Sequence, residues 1–317
     1  MSRLELQPPL VSVIMPAYNA AHYIGDSVAT VLSQDHHRLE LIIADDGSSD
    51  GTPELVEGLD ARITVLRQRN AGPAAARNLG LQTAKGAFIA FLDADDLWAP
   101  QKLSMQLAFL QAHPEYGMVY GGFQRWFAGA DGSFDAPLPP AYAEGPDEAL
   151  VAAQSGWIYV PLLFDNIVHI ITALVRREVI EPLGGFDPKL PTGEDYDFWL
   201  RLSRHTQAAK LARTLAYYRI HKTSITHKPR AENNEYRALK AALDAWGPVG
   251  PDGQVADPAR LRERLFLLHF SHGYQHVRMG SPRVATKAFW RAVQVKPSHL
   301  KSWAYLAAAG LLGLVRP

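Results

Sequence analysis

The chain has 317 residues, with Lys plus Arg and Asp plus Glu balanced at 32 each and no cysteine. That balance leaves no overall field to draw in nucleic acid or anionic lipid, and the missing thiols exclude disulfides, thiolate catalysis and zinc–thiolate centres. The length suits one large α/β domain with a smaller appendage.

In chain order, the first apolar run, Leu10 to Met15, follows an acidic residue and two prolines rather than a basic segment, so no secretory leader is read there. A cytoplasmic setting is the expectation. Val11 to Met15 reads as a strand stopped by Pro16, and Ala21 to Gln34 as a helix with Ile24, Val28, Val31 and Leu32 on one face. Leu39 to Ala44 is a second buried strand, Thr52-Pro53 an N-cap and N1 pair for a following helix, and Ile63 to Leu66 a third strand. Pro73 to Lys85 is helical, and the apolar run Ala87 to Leu92 is a fourth strand. Alternating strands and helices with short turns imply right-handed crossovers and a parallel sheet.

Phe127 to Gly156, rich in Gly, Pro, Asp and Ala, reads as a long surface loop. Order returns from Trp157: an apolar segment, the turn at Gly184-Gly185-Phe186-Asp187-Pro188, a helix from Gly193-Glu194-Asp195 through Arg204, and a strand from Leu215 to Ile220. A second linker, Gly247 to Pro258, precedes an antiparallel helix pair, Leu261 to Gly280 and Pro282 to Val295, and one last helix. The apolar stretch Trp303 to Val315 is too short to span a bilayer. It lies on a membrane or packs on its own domain, and packing is the favoured reading.

The most informative feature is Asp93-Ala94-Asp95, with Asp96 behind it, at the end of the fourth strand. Two carboxylates at i and i+2 of a strand point to one side, and hard oxygen donors there suit a divalent cation that keeps positions open for phosphate oxygens. The competing reading is a turn that caps the next helix.

Five segments, in this order, carry a resemblance: Val11 to Asn19, Ile42 to Thr52, Gly72 to Asn78, Phe91 to Asp96, and Gly184 to Asp187 with Gly193-Glu194-Asp195. Across residues 10 to 225 the chain resembles the inverting nucleotide-sugar glycosyltransferases of family two. The resemblance implies a GT-A type, Rossmann-like, mostly parallel sheet flanked by helices, in a domain over 1–225. Its nucleotide-binding half is expected at about 10–120 and its acceptor half at about 157–225. A helical C-terminal extension over 226–317 lies outside the resemblance.

The same resemblance implies a metal pair, Asp93 and Asp95, holding Mn²⁺ or Mg²⁺, with His221 completing the shell. Asp46 would accept the ring N–H of the base, Tyr18 cover the base, and the backbone of Pro16, Ala17 and Tyr18 reach the nucleoside. Arg77 would contact nucleoside or diphosphate, an ion pair with a nearby carboxylate being the other reading. Asp195 is the expected catalytic base for inversion; Glu194 would assist the acceptor or cap the helix. Arg219 alternates with His221 on a segment that would close over the diphosphate. Trp199 sits in a helical stripe and is read as core.

The implied function is non-processive transfer of a sugar from a nucleotide diphosphate donor, in the first place UDP, to a glycan or lipid-linked acceptor. The setting by analogy is polysaccharide assembly at the cell envelope, with the enzyme peripheral at the inner face of the membrane. The alternative is a catalytically silent donor-binding scaffold. A pyrophosphorylase would need a Gly-rich basic loop after the first strand and an oxidoreductase G-x-G-x-x-G; Pro16-Ala17-Tyr18-Asn19 stands there instead. The C-terminal helices are open to membrane contact or to homodimerisation.

Overall fold

In a computed structural model, residues 7–129, 131–134, 149–221 and 229–315 are described. The strands are β1 (Val11–Ala17), β2 (Leu39–Asp45), β3 (Ile63–Arg67), β4 (Phe88–Phe91), β5 (Leu97–Trp98), β6 (Tyr116–Phe127), β7 (Leu174–Arg176) and β8 (Gln207–Ile220). The α-helices are α1 (Ile24–Leu32), α2 (Pro73–Thr83), α3 (Lys102–Ala112), α4 (Tyr159–Phe164), α5 (Arg177–Ile180), α6 (Glu194–Leu202), α7 (Asn234–Trp246), α8 (Pro258–Met279), α9 (Pro282–Val295) and α10 (Leu300–Val315). They group into two compact units. One holds β1 to β8 and ends at His221; the other joins Tyr159–Asn166 to the described residues from 229 onward.

In the first unit the strands form one sheet in the order β3-β2-β1-β4-β7-β6-β8-β5. The β3-β2-β1-β4 half is parallel throughout, as the strand–helix alternation predicts. β1 is buried along nearly its whole length, which accounts for its mostly apolar sequence, and the one buried hydroxyl, Ser12, donates to Glu40 Oε1. Helix α1 buries Ile24, Val28 and Val31, the face read from their spacing. A Cβ at Gly80 of α2 would collide with the Ile14 side chain, so glycine there permits close packing of helix on strand.

Beyond β4 the order mixes. β7 runs antiparallel to β4 and to β6, while β6 and β8 pair in parallel with bulges near Gly122. β6 is poorly announced because Gly117, Gly121 and Gly122 interrupt it. Those glycines are required by packing: a Cβ at 117 would meet Thr206, and one at 121 would meet Leu215. β8 starts at Gln207, eight residues before the expected strand, because pairing with β6 overrides the weak strand propensity of its alanines.

Two local expectations are corrected. Thr52 caps no α-helix: its Oγ1 binds Asp50 Oδ1 at 2.5 Å and accepts from the Ala20 N–H at 2.8 Å, and only a 3₁₀ turn, Pro53–Leu55, follows. Within the expected loop, Ala152–Gln154 forms a 3₁₀ turn, Leu150 and Gly156 bridge to β8, and 130 and 135–148 lie outside the described residues.

In the second unit, the side chain of Asn233 accepts from the Tyr236 N–H to cap α7, and Asp257 does the same for α8 through the Arg260 N–H. Ala285, Phe289 and Ala309 form a core between α9 and α10, with Phe270, Val277, Tyr305 and Leu306 packed around it. Helix α10 thus packs on its own unit by one face. No helix among the described residues is long and apolar enough to cross a membrane.

Candidate active site

The site forms where β1, β2 and β4 end. After β1, the Asn19 N–H donates to Ser48 Oγ and Asn19 Oδ1 accepts from the Ser49 N–H, both at 2.9 Å. β1 runs on through Pro16 to Ala17 instead of stopping at the proline, and these bonds tie the residues that follow it to the loop after β2 and hold Asn19 at φ 48°. Tyr18 is exposed, with its ring available to a ligand. Buried Asp46 donates its N–H to the Ala17 carbonyl. Its carboxylate accepts from Gln68 Nε2 at 2.6 Å and from the Ala71 and Gly72 N–H groups at 2.8 Å. A carboxylate offers about four acceptor sites, so Asp46 orders the approach to α2 and keeps one acceptor position.

Arg77, one turn into α2, is buried between two carboxylates. Its Nη2 lies 2.6 Å from Asp93 Oδ1 and its Nη1 2.5 Å from Glu194 Oε1. Burial opposes the cation, yet the charges of Asp93 and Glu194 outweigh it and hold the pKa above the usual arginine range. This is the ion-pair reading of Arg77. Glu194, at the first position of α6, is likewise engaged with Arg77; burial raises its carboxyl above the ordinary range. Asn78 locks the neighbouring turn: its Oδ1 accepts from the Phe186 N–H and its Nδ2 donates to the Phe186 carbonyl, both at 2.8 Å.

The strand argument for Asp93 and Asp95 needs correction. β4 ends at Phe91, and the Asp96 N–H donates to the Asp93 carbonyl at 3.0 Å, so the three acids lie on a turn rather than on a strand. The turn still separates them: the side chains of Asp93 and Asp95 are 27% and 32% exposed, whereas Asp96 is buried. Asp96 Oδ1 accepts from the Arg219 N–H, and Oδ2 has no partner among the described residues. Burial, then the charges of Asp95 and Asp93, pushes the Asp96 carboxyl well above its ordinary range.

Arg219 and His221 do share a side at the end of β8. Arg219 Nη2 pairs with Asp26 Oδ2 at 2.6 Å and Nη1 reaches the Asp95 carbonyl at 3.4 Å. His221 Nε2 lies 3.0 Å from Asp95 Oδ2. Tyr23 carries no motif that singles it out in the sequence. Its ring packs against His221 at 4.5 Å and under the Arg219 guanidinium at 5.5 Å. His169, also unannounced, packs its ring on Phe123 and Tyr218, and burial lowers its pKa to about 4.

Asp195, in the first turn of α6, accepts from the Tyr196 N–H at 2.8 Å, and the positive helix end favours its charge. Trp199 is buried in the core, as read. Among the described residues no three His, Asp or Glu side chains are grouped to hold a cation unaided. The Asp95 carboxylate beside the His221 imidazole, with Asp93 partly open to solvent, is nonetheless a donor set suited to Mn²⁺ or Mg²⁺ when substrate oxygens supply the remaining ligands.

The family model for glycosyl transferase family 2 matches residues 12–142. The chain is 34% identical over 237 residues to TuaG of Bacillus subtilis, named as a teichuronic acid biosynthesis glycosyltransferase, covering 73% of this chain and 85% of TuaG. It is 32% identical over 243 residues to WfgD of Escherichia coli, a UDP-Glc:alpha-D-GlcNAc-diphosphoundecaprenol beta-1,3-glucosyltransferase, covering 75% of this chain and 85% of WfgD. Staphylococcus aureus TarS 1–349 in complex with UDP-GlcNAc matches with a TM-score of 0.62 at 18% identity, over 90% of this chain and 81% of that one. Mannosyltransferase PcManGT from Pyrobaculum calidifontis, in complex with GDP-Man and Mn²⁺, matches with a TM-score of 0.56 at 22% identity, over 96% and 87%. The solved structures carry the GT-A fold and the sequence relatives carry the family: this chain belongs to glycosyl transferase family 2.

Proposed function

We propose that the chain is a divalent-metal-dependent, inverting and non-processive glycosyltransferase. It takes a sugar from a nucleotide diphosphate, in the first place UDP, to a glycan or lipid-linked saccharide. The observation that carries this reading is the 3.0 Å approach of His221 Nε2 to Asp95 Oδ2, with Asp93 two residues away and partly open to solvent. The relative WfgD, with its UDP-Glc donor and diphosphoundecaprenol acceptor, supports the substrate class.

In this reading residues of about 10–120 hold the nucleotide and those of about 157–225 the acceptor. The remaining acceptor position of Asp46 takes the base N–H, Tyr18 covers the base, and the Pro16 to Tyr18 backbone follows the nucleoside. Asp93, Asp95 and His221 would hold Mn²⁺ or Mg²⁺, which supplies charge neutralisation at the departing diphosphate. Arg77 holds the Asp93 carboxylate in place, with Glu194 as its second counter-anion. Arg219 ties the end of β8 to the Asp95 carbonyl and the Asp96 carboxylate and so sets the position of His221. Asp195 takes the proton of the acceptor hydroxyl as its oxygen attacks the anomeric carbon opposite the diphosphate, and no covalent enzyme intermediate forms.

Calorimetric titration with UDP, GDP and dTDP, each with and without Mn²⁺, tests this reading. Tight binding of one nucleotide only with metal is the expected result; no binding of any of them overturns it.

A further inference from the structure

The overall charge balance conceals a strong local imbalance. Eight of the 32 basic residues and none of the 32 acidic ones follow Glu263, so the chain before that point carries an acidic excess of eight. Arg264 and Lys296 are paired with Glu235 and Glu263. Arg278, Arg283, Lys287, Arg291 and Lys301 are exposed. Arg283, Lys287 and Arg291 recur every four residues, which sets them on one stripe of α9. Trp290, half exposed, sits within that stripe.

Helix α10 adds an apolar counterpart. Its inner face, with Ser302, Tyr305, Leu306 and Ala309, is covered by its own unit, Ser302 and Ala309 being buried. Its outer positions Leu300, Trp303, Ala304, Ala307, Ala308 and Leu311 are exposed, Leu300 at 79%, Trp303 at 45% and Leu311 at 66%. Lys301 is the only charge among the described residues of α10. Exposed Trp and Leu beside cations, with no carboxylate in the segment, match an interface that is negative at its surface and apolar beneath it.

We infer that α9 and α10 form a docking surface for an anionic lipid bilayer. Trp303, Leu300 and Leu311 enter the boundary between headgroups and acyl chains, and Arg283, Lys287 and Arg291 meet lipid phosphates. A second copy docked symmetrically through this surface is the poorer occupant, because it would bring the same basic segment against this one with no acidic residue to answer it. The surface lies in the helical unit and does not depend on the roles assigned around Asp95.

The test is co-sedimentation of the full chain with vesicles of phosphatidylcholine alone or mixed with phosphatidylglycerol. Wild type is expected to bind the mixed vesicles, to release them as salt rises, and to leave pure phosphatidylcholine nearly untouched. Arg283→Gln with Lys287→Gln should weaken partitioning by about fivefold for each cation removed. Trp303→Ser with Leu311→Ser should abolish it. Both variants should melt as wild type and bind nucleotide as wild type does, which separates a failed surface from a failed fold. Absence of wild-type binding to the mixed vesicles overturns the inference. So does unchanged binding by both variants, or self-association of wild type that Trp303→Ser with Leu311→Ser abolishes.

Discussion

Arg77 and Glu194, 117 positions apart, meet in a buried ion pair at 2.5 Å, and the other guanidinium nitrogen holds Asp93 at 2.6 Å. One cation therefore links the acidic turn after β4 to the first turn of α6, the two segments that carry Asp95 and Asp195. Arg77→Met would leave two carboxylates facing each other without their counter-charge. Loss of a buried partner costs about 3–5 kcal/mol, and urea unfolding should read a loss of that order. Arg77→Lys should recover only part of it, because an ammonium cannot bridge two carboxylates in a planar fork.

Asp95→Asn should remove Mn²⁺-dependent diphosphate binding while leaving the fold intact, since the side chain is a third exposed. Isothermal titration with Mn²⁺ checks this. Undiminished binding would take Asp95 out of the metal site. His221→Ala should weaken the same binding less, as one neutral ligand is lost instead of a charged one.

Asp195→Asn should keep donor affinity and slow transfer by about 10²-fold or more, the usual contribution of a positioned base. Single-turnover rates beside nucleotide titration separate the two effects. Near-normal turnover would sink the assignment.

His169 predicts a pH dependence of stability. Burial lowers its folded pKa to about 4 from 6.5, so the unfolded chain binds the extra proton. Its contribution is present above the unfolded value and is lost as pH falls toward the folded one. Between about pH 7.5 and about pH 5 the loss should be about 2 kcal/mol. His169→Leu should lose less stability over that interval than wild type when both are unfolded in urea; identical slopes would refute the assignment.

Local sequence was enough to read the parallel half of the sheet. β1, β2 and β4 are largely buried, so their residues are apolar apart from Ser12 and its partner Glu40, and Asp45 at the end of β2, and α1 shows its buried face by spacing alone. The far half was harder to read. β6 is broken by glycines whose need arises from Thr206 and Leu215, residues distant in sequence, and β8 depends on β6 for its register.

The same division runs through the site. Local sequence sets which residue types cluster at strand ends: Asp46, the acids at 93 to 96, and the Gly-Glu-Asp start of α6 are local patterns at local turns. How they divide their work follows from the folded chain. It buried Asp96, gave Arg77 to Asp93 and Glu194, set His221 on Asp95, and brought Tyr23 beneath both Arg219 and His221. Those choices depend on desolvation and on partners many residues away, and no local pattern encodes which charge will be buried or which will find its counter-ion.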